Sequence, residues 1–385
     1  GVCSPATCKD LPTAANDSQR SDAGVWMSHP QTLRGRYEDC WHSCESLKRT
    51  RHIPDISMFV GHALLAFAIA ALVADWRGWD RRPTLLVGAL AGAFAAIPDI
   101  DVAYALVGLL EWHALGGDLG APAAFWGASR AVHRSVTHSL VVGAVAAPAF
   151  GLLANRGRSD RARAVRTAGG GLLVALVAIA FIWDGPLAAF VMVLFAASGL
   201  LLSRGVAWLS TLPPTTVTIA ALWGLWSHPW GDLVTGAPPD WLFPFGSPLL
   251  ESRVVLHSDP TLHLLGAFAI ELATIALAIA VVYRVTDRSI LVSVDRRAAV
   301  GAVYGVAALA VTPPTLEVSY HFVFSILGVG LLCGVVQDSY WRPFRARDRW
   351  RPSIEAVFET GLTTVAAVAV ALAAYATVYV LVVSG

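Results

Sequence analysis

Apolar residues along this chain fall into repeated blocks, at about 58–74, 84–110, 136–154, 168–183, 186–202, 214–227, 262–283, 299–311, 320–336 and 358–383. Blocks of this length in this number predict transmembrane helices, because hydrocarbon leaves backbone N–H and C=O groups no partner outside a helix or a closed barrel. The expectation is an all-α, polytopic integral membrane bundle of about ten transmembrane helices. Several blocks fall short of the ~20 residues that a perpendicular span needs. Pro213-Pro214, Pro238-Pro239 and Pro313-Pro314 mark loops or helix entries. No internal repeat is evident.

Basic residues give the blocks a direction. Cytoplasmic loops accumulate Arg and Lys, and segment 155–167 carries Arg156, Arg158, Arg161, Arg163 and Arg166. If it is inside, alternation puts 75–83, 203–213, 284–298 and 337–357 inside as well, and these five segments hold 18 arginines. The opposite segments hold only Arg130, Arg134 and Arg253. That imbalance supports both the span count and the orientation. Trp76, Trp79, Trp112, Trp126, Trp183, Trp230, Trp241 and Trp341 lie at or near expected helix ends, where indole rings favour the headgroup level.

Composition agrees. The 385 residues are 56% hydrophobic and 14% charged, with mean hydropathy +0.59, whereas soluble domains carry about 25% charged residues. A net charge of +1 gives no reason to expect nucleic-acid binding. Residues 1–57 differ from the rest: they hold both lysines, Lys9 and Lys48, and four of the five cysteines, and have no apolar block. They are expected to be a disordered N-terminal tail or an upstream extension before a start at Met58, with no signal-peptide pattern preceding it. Cys40-x-His42-x-Cys44 does not have a standard zinc spacing. The remaining chain divides into a candidate metal-site domain at 58–250 and C-terminal transmembrane helices of unknown role at 251–385.

The candidate chemistry sits where ionisable groups interrupt apolar blocks, since such groups are costly at membrane depth and mark function by default. His62 lies in the first turn of the first block, and Pro98-Asp99-Ile100-Asp101 breaks the second. His133-Arg134-Ser135-Val136-Thr137-His138-Ser139 opens the third, and Ser227-His228-Pro229-Trp230-Gly231-Asp232 closes the sixth. Alternation places all four at one face, extracytoplasmic. On a regular helix Asp99 and Asp101 would point to opposite sides, so their convergence needs the break at Pro98. His228 and Asp232 are i, i+4 and would share a helix face, with Pro229 suited to a first helical position after His228. Imidazole and carboxylate together are the ligand set of Zn²⁺, Mn²⁺ or Fe²⁺. The metal candidates are therefore His62, Asp99, Asp101, His133, His138, His228 and Asp232. Seven exceed one tetrahedral shell, so either two ions bind or some of these residues orient others or act as base.

Through these four elements the chain resembles the YdjM-type inner-membrane metal-dependent hydrolases, over about 58–248, with His228 and Asp232 followed by Leu233-Val234-Thr235. Two departures stand out. The family often has Gly where Ser135 stands, and a continuous apolar helix where Pro229-Trp230-Gly231 stands. The resemblance implies an integral membrane hydrolase with a divalent-metal site built from these His and Asp residues.

The residues themselves suggest how such a site would work. A divalent ion, Zn or Mn, held by Asp99 or Asp101 with His133 and His138 would lower the pKa of water to ~7. Asp101 or Asp232 would accept the proton, and Arg134 would hold an anionic oxygen. The expected protein is a multi-pass hydrolase of the cytoplasmic membrane, in contact with membrane lipids and acting on a phosphate ester or lipid-borne substrate at the outer face. The alternative is a transporter or channel using the same cluster as a cation site. Glu111, His113, Glu251, His257, His263, Glu271, Glu317 and His321 are weaker candidates.

Overall fold

The computed structural model describes residues 59–104, 136–234, 236, 238–246, 249–289, 294–316, 319–335 and 354–384. Among these the protein is all-helical. The helices are α1 (Phe59–Trp76), α2 (Arg81–Ala96), α3 (Leu140–Leu153), α4 (Asp160–Leu209), α5 (Pro214–Gly231), α6 (Pro260–Val285), α7 (Ala307–Ala310), α8 (Tyr320–Val335) and α9 (Ile354–Val378). Short 3-10 segments at Pro98–Tyr104, Val136–His138, Asp232–Val234 and Arg296–Val306 join them, and a π turn, Tyr379–Val383, ends the last.

Four helical stretches, Arg81–Asp101, Asp160–Leu209, Pro260–Val285 and Ala356–Val383, are long and apolar enough to cross a membrane. Three shorter apolar helices accompany them: Val60–Trp76, Leu140–Leu153 and His321–Val335. Among the described residues, length and composition thus establish fewer spans than the about ten expected. Large apolar side chains such as Val174, Ile182, Leu201, Ile219 and Leu332 face outward, each at least 66% exposed, as suits a membrane protein surrounded by lipid.

The 50-residue α4 is two helices. Gly185, at φ 83° and ψ −169°, is in a conformation that only glycine adopts without strain, and Pro186 restarts the helix. The chain reverses there: Arg166 from the first limb and Arg204 from the second both donate to the Asn155 carbonyl, at 3.3 and 3.2 Å. The expected pair of spans around 184–185 is therefore a hairpin. The segment expected as an arginine-rich loop is partly helical, since Ser159 caps α4 by accepting from Ala162 N, leaving Arg161, Arg163 and Arg166 in its opening turns.

Two further expectations change. Pro229 does not open a helix after His228; α5 runs through it to Gly231. The missing N–H forfeits only the bond to the Leu225 carbonyl, and the helix ends two residues later, so little helix is left to disrupt. The block at 299–311 folds as a 3-10 helix over Arg296–Val306 followed by α7. A rise of about 2.0 Å per residue makes its 11 residues about 22 Å long, longer than an α-helix of that length.

Two apolar cores result. The first joins α2, α3, α4 and α5 around Phe94, Phe150, Met192 and Phe195. The second joins α6 to α9 around Phe322, Ile326, Leu372 and Tyr375. Ala68 and Ala71 of α1 meet Ala278 and Val281 of α6 between them. Asp259 caps α6 by accepting from Leu262 N and Thr261 N. Those bonds, the Leu262 one foremost, hold its carboxyl below the usual carboxylate range.

Candidate metal centre

Every element of the candidate centre lies at a helix end. α2 stops at Ala96, and the chain turns into the 3-10 segment starting at Pro98, with Ile100 N donating to Ile97 O at 3.0 Å. At 3.0 residues per turn, positions i and i+2 stand about 120° apart rather than the ~160° of an α-helix. The Pro98 break therefore brings the Asp99 and Asp101 side chains to flank one neighbour, which is His138.

His138 ends the 3-10 turn Val136–His138 and is 1% exposed. Ser139 then caps α3, accepting from Val141 N and Val142 N at 3.1 and 3.4 Å. The same hydroxyl lies within donating distance of the Trp241 and Phe243 carbonyls, at 3.2 and 3.0 Å. Leu140 N also donates to Trp241 O, at 2.8 Å. Buried Trp241 packs on Trp230. The loop after α5 is thereby fastened to the turn that presents His138.

The ring nitrogens of His138 have different tasks. Thr137 Oγ1 donates to Pro98 O at 3.1 Å, which uses its one proton, so at 3.1 Å from His138 Nδ1 it accepts. Asp101 Oδ2, fully buried, is 3.8 Å from the same Nδ1. With Nδ1 facing the Thr137 oxygen and the Asp101 carboxylate, Nε2 is the nitrogen turned toward the centre.

That Nε2 faces three others. His228 Nε2 is 3.1 Å away, Asp99 Oδ1 3.6 Å and Asp232 Oδ2 3.5 Å. His228 Nε2 is itself 3.3 Å from Asp99 Oδ1 and 3.8 Å from Asp232 Oδ2. Asp232 turns its other oxygen to His62 Nε2 at 3.4 Å, and the His62 ring meets the His228 ring edge-on. His62, Asp101, His138, His228 and Asp232 are buried, and Asp99 keeps the most exposure, 11% of its side chain.

The donor set fits a divalent ion. Asp99, His138 and His228 each offer one ligand atom, all within 4.8 Å of one another. Their three separations, 3.1, 3.3 and 3.6 Å, bracket the roughly 3.3 Å that separates neighbouring ligands of a tetrahedral ion with bonds of ~2.0–2.1 Å. Two imidazoles and a carboxylate are also the chemical set such ions take. Asp101 stands behind His138 and Asp232 between this trio and His62.

Six of the expected residues are therefore gathered in one place. His133 and Arg134 lie outside the described residues, as do Glu111, His113 and Glu317. Glu251, His257 and His321 are exposed, while His263 Nδ1 accepts from Leu256 N at 3.1 Å and holds a loop. Glu271 is buried on α6, where its side chain packs against α1 at Gly61, beside His62. Two features escaped the pattern. Thr137 holds the His138 ring while donating to the Pro98 carbonyl, 39 residues away, a contact that no spacing announces. Gly231 is required by a contact, since a Cβ there would collide with the His62 ring; its position between Trp230 and Asp232 was the available signal.

Apolar helices with a buried His/Asp cluster at their ends define a helical membrane protein with a possible metal-binding group. Comparison makes the class specific: the YdjM inner membrane protein family matches residues 58–312, and the chain belongs to that family. The match runs past residue 248, where the resemblance was expected to end, and takes in α6 and the 3-10 segment Arg296–Val306. No curated protein and no solved structure matches the chain.

Proposed function

We propose that this protein is a multi-pass, metal-dependent hydrolase of the cytoplasmic membrane, with about ten spans and its centre at the extracytoplasmic face. The observation that carries the reading is the convergence of His138 Nε2, His228 Nε2 and Asp99 Oδ1 in a buried position. The excess of arginine in alternate segments supports the orientation. The placement of the cluster at helix ends, rather than within a helix at mid-membrane, favours an enzyme over a transporter.

Asp99, His138 and His228 would hold a divalent ion, Zn²⁺ or Mn²⁺, which supplies a Lewis acid able to make water acidic near neutral pH. Asp101 and Thr137 fix the His138 ring through Nδ1, so that its Nε2 lone pair stays aimed at the centre. Asp232, whose Oδ2 is 3.5 Å from His138 Nε2, is the group best placed to take a proton from water. The approach of its Oδ1 to His62 Nε2, at 3.4 Å, orients it. Arg134, four residues before His138, would hold the anionic oxygen of a phosphate ester or lipid-borne substrate.

The test is hydrolysis of a phosphodiester and of a phospholipid by the purified full-length chain with Zn²⁺ or Mn²⁺ supplied, alongside cation uptake in proteoliposomes. Hydrolysis lost in Asp232→Asn supports the reading. Uptake without hydrolysis overturns it in favour of transport.

A further inference from the structure

The opposite end of α3 holds a second polar construction. A cavity of about 470 Å³ opens where α3 ends, lined by Arg156, Arg158, Arg166, Arg204 and Trp208. The 14 residues of α3 put it about 20 Å from His138. Among the described residues, no acidic side chain lines it.

Arginines at this end are also what a topology signal would supply, but a topology signal needs only their number. Here they are brought to one point from three segments. Arg204 NH1 donates to the Leu153 and Asn155 carbonyls at 3.0 and 3.2 Å. Arg166 NH1 donates to Asn155 O and Gly157 O at 3.3 and 2.6 Å. Arg156 NH2 donates to Leu212 O at 3.4 Å. Each bond fixes one nitrogen of a five-donor guanidinium and leaves the others to point elsewhere. Arg158 makes no hydrogen bond or ion pair among the described residues. Pinned guanidiniums with spare donors around a cavity without carboxylates are the chemistry of phosphate recognition. Trp208, which lines the cavity, is 82% exposed, and the next residue, Leu209, is 83% exposed, an apolar surface suited to acyl chains.

We propose that this cavity binds a phosphate-bearing anion, presented as the headgroup of an anionic membrane lipid. Basic pockets between transmembrane helices bind such headgroups through charge and guanidinium–phosphate hydrogen bonds together.

The experiment is native mass spectrometry of the full-length chain in detergent, with phosphatidylglycerol or phosphatidylcholine added, and a parallel arm with inorganic phosphate read by thermal protection. The expected result is preferential retention of phosphatidylglycerol. Arg158→Gln should reduce that retention about tenfold, the scale of one lost charge-assisted hydrogen bond, with an unaltered elution profile showing that the variant folds. Arg296→Gln, exposed and outside the cavity, should leave it unchanged. An equal loss in Arg296→Gln would mean bulk attraction and overturn the proposal. So would equal retention of the two lipids, or protection by inorganic phosphate with no preference between lipids, which would make the ligand a soluble anion.

Discussion

At the N-terminal end of α3, His138 is buried against a second imidazole, His228, and three carboxylates; at its C-terminal end, four arginines surround an open cavity. Both ends concentrate polar side chains on an apolar helix, by different means. At the first, each polar atom is aimed by a neighbour: Thr137 and Asp101 set the His138 ring, and Ser139 ties its turn to the Trp241 loop. At the second, backbone carbonyls at the end of α3 and just beyond hold guanidiniums that keep spare donors. Enclosure and convergence of lone pairs suit a small cation, whereas openness and surplus donors suit a larger anion.

The comparison breaks if the two ends cannot be perturbed separately. His228→Ala removes a ligand atom of the trio and should weaken metal retention by about a hundredfold or more, measured by competition with a chelator, while Arg158→Gln leaves it unchanged. Asp101→Asn sharpens the distinction between holding a metal and aiming a ligand. A partner behind a ligating histidine is worth about 10–100-fold in metal affinity, so the loss in the same competition should fall short of that in His228→Ala. Gly231→Ala should push the His62 ring aside and destabilise the chain by about 1–3 kcal/mol through overpacking, read by thermal unfolding. Its metal retention should change least of the three, because His62 supplies none of the three ligand atoms. Ser139→Ala, which removes the cap of α3, should cost about 1 kcal/mol in the same assay.

Much of this centre was legible from residue types. Ionisable groups interrupting apolar blocks pointed to His62, Asp99, Asp101, His138, His228 and Asp232, because hydrocarbon makes such interruptions costly, and the break at Pro98 followed from its missing N–H. Periodicity missed what depends on local geometry. An α-helical period puts Asp99 and Asp101 on opposite sides, and only the 3-10 turn brings both to His138. Pro229 read as a helix start, since nothing local reveals that α5 ends two residues beyond it. The reversal at Gly185 was legible as a break between two blocks, but its tightness depends on one positive φ. How Thr137 holds the His138 ring was beyond reach, because the carbonyl that engages Thr137 belongs to Pro98, 39 residues away.

The central claim is that Asp99, His138 and His228 hold a divalent ion. Elemental analysis of the purified full-length chain tests it most directly, with wild type, His138→Ala and Arg158→Gln prepared side by side. The account predicts about one equivalent or more of Zn or Mn per chain in wild type and in Arg158→Gln, and its loss in His138→Ala. Metal content unchanged by His138→Ala would contradict it.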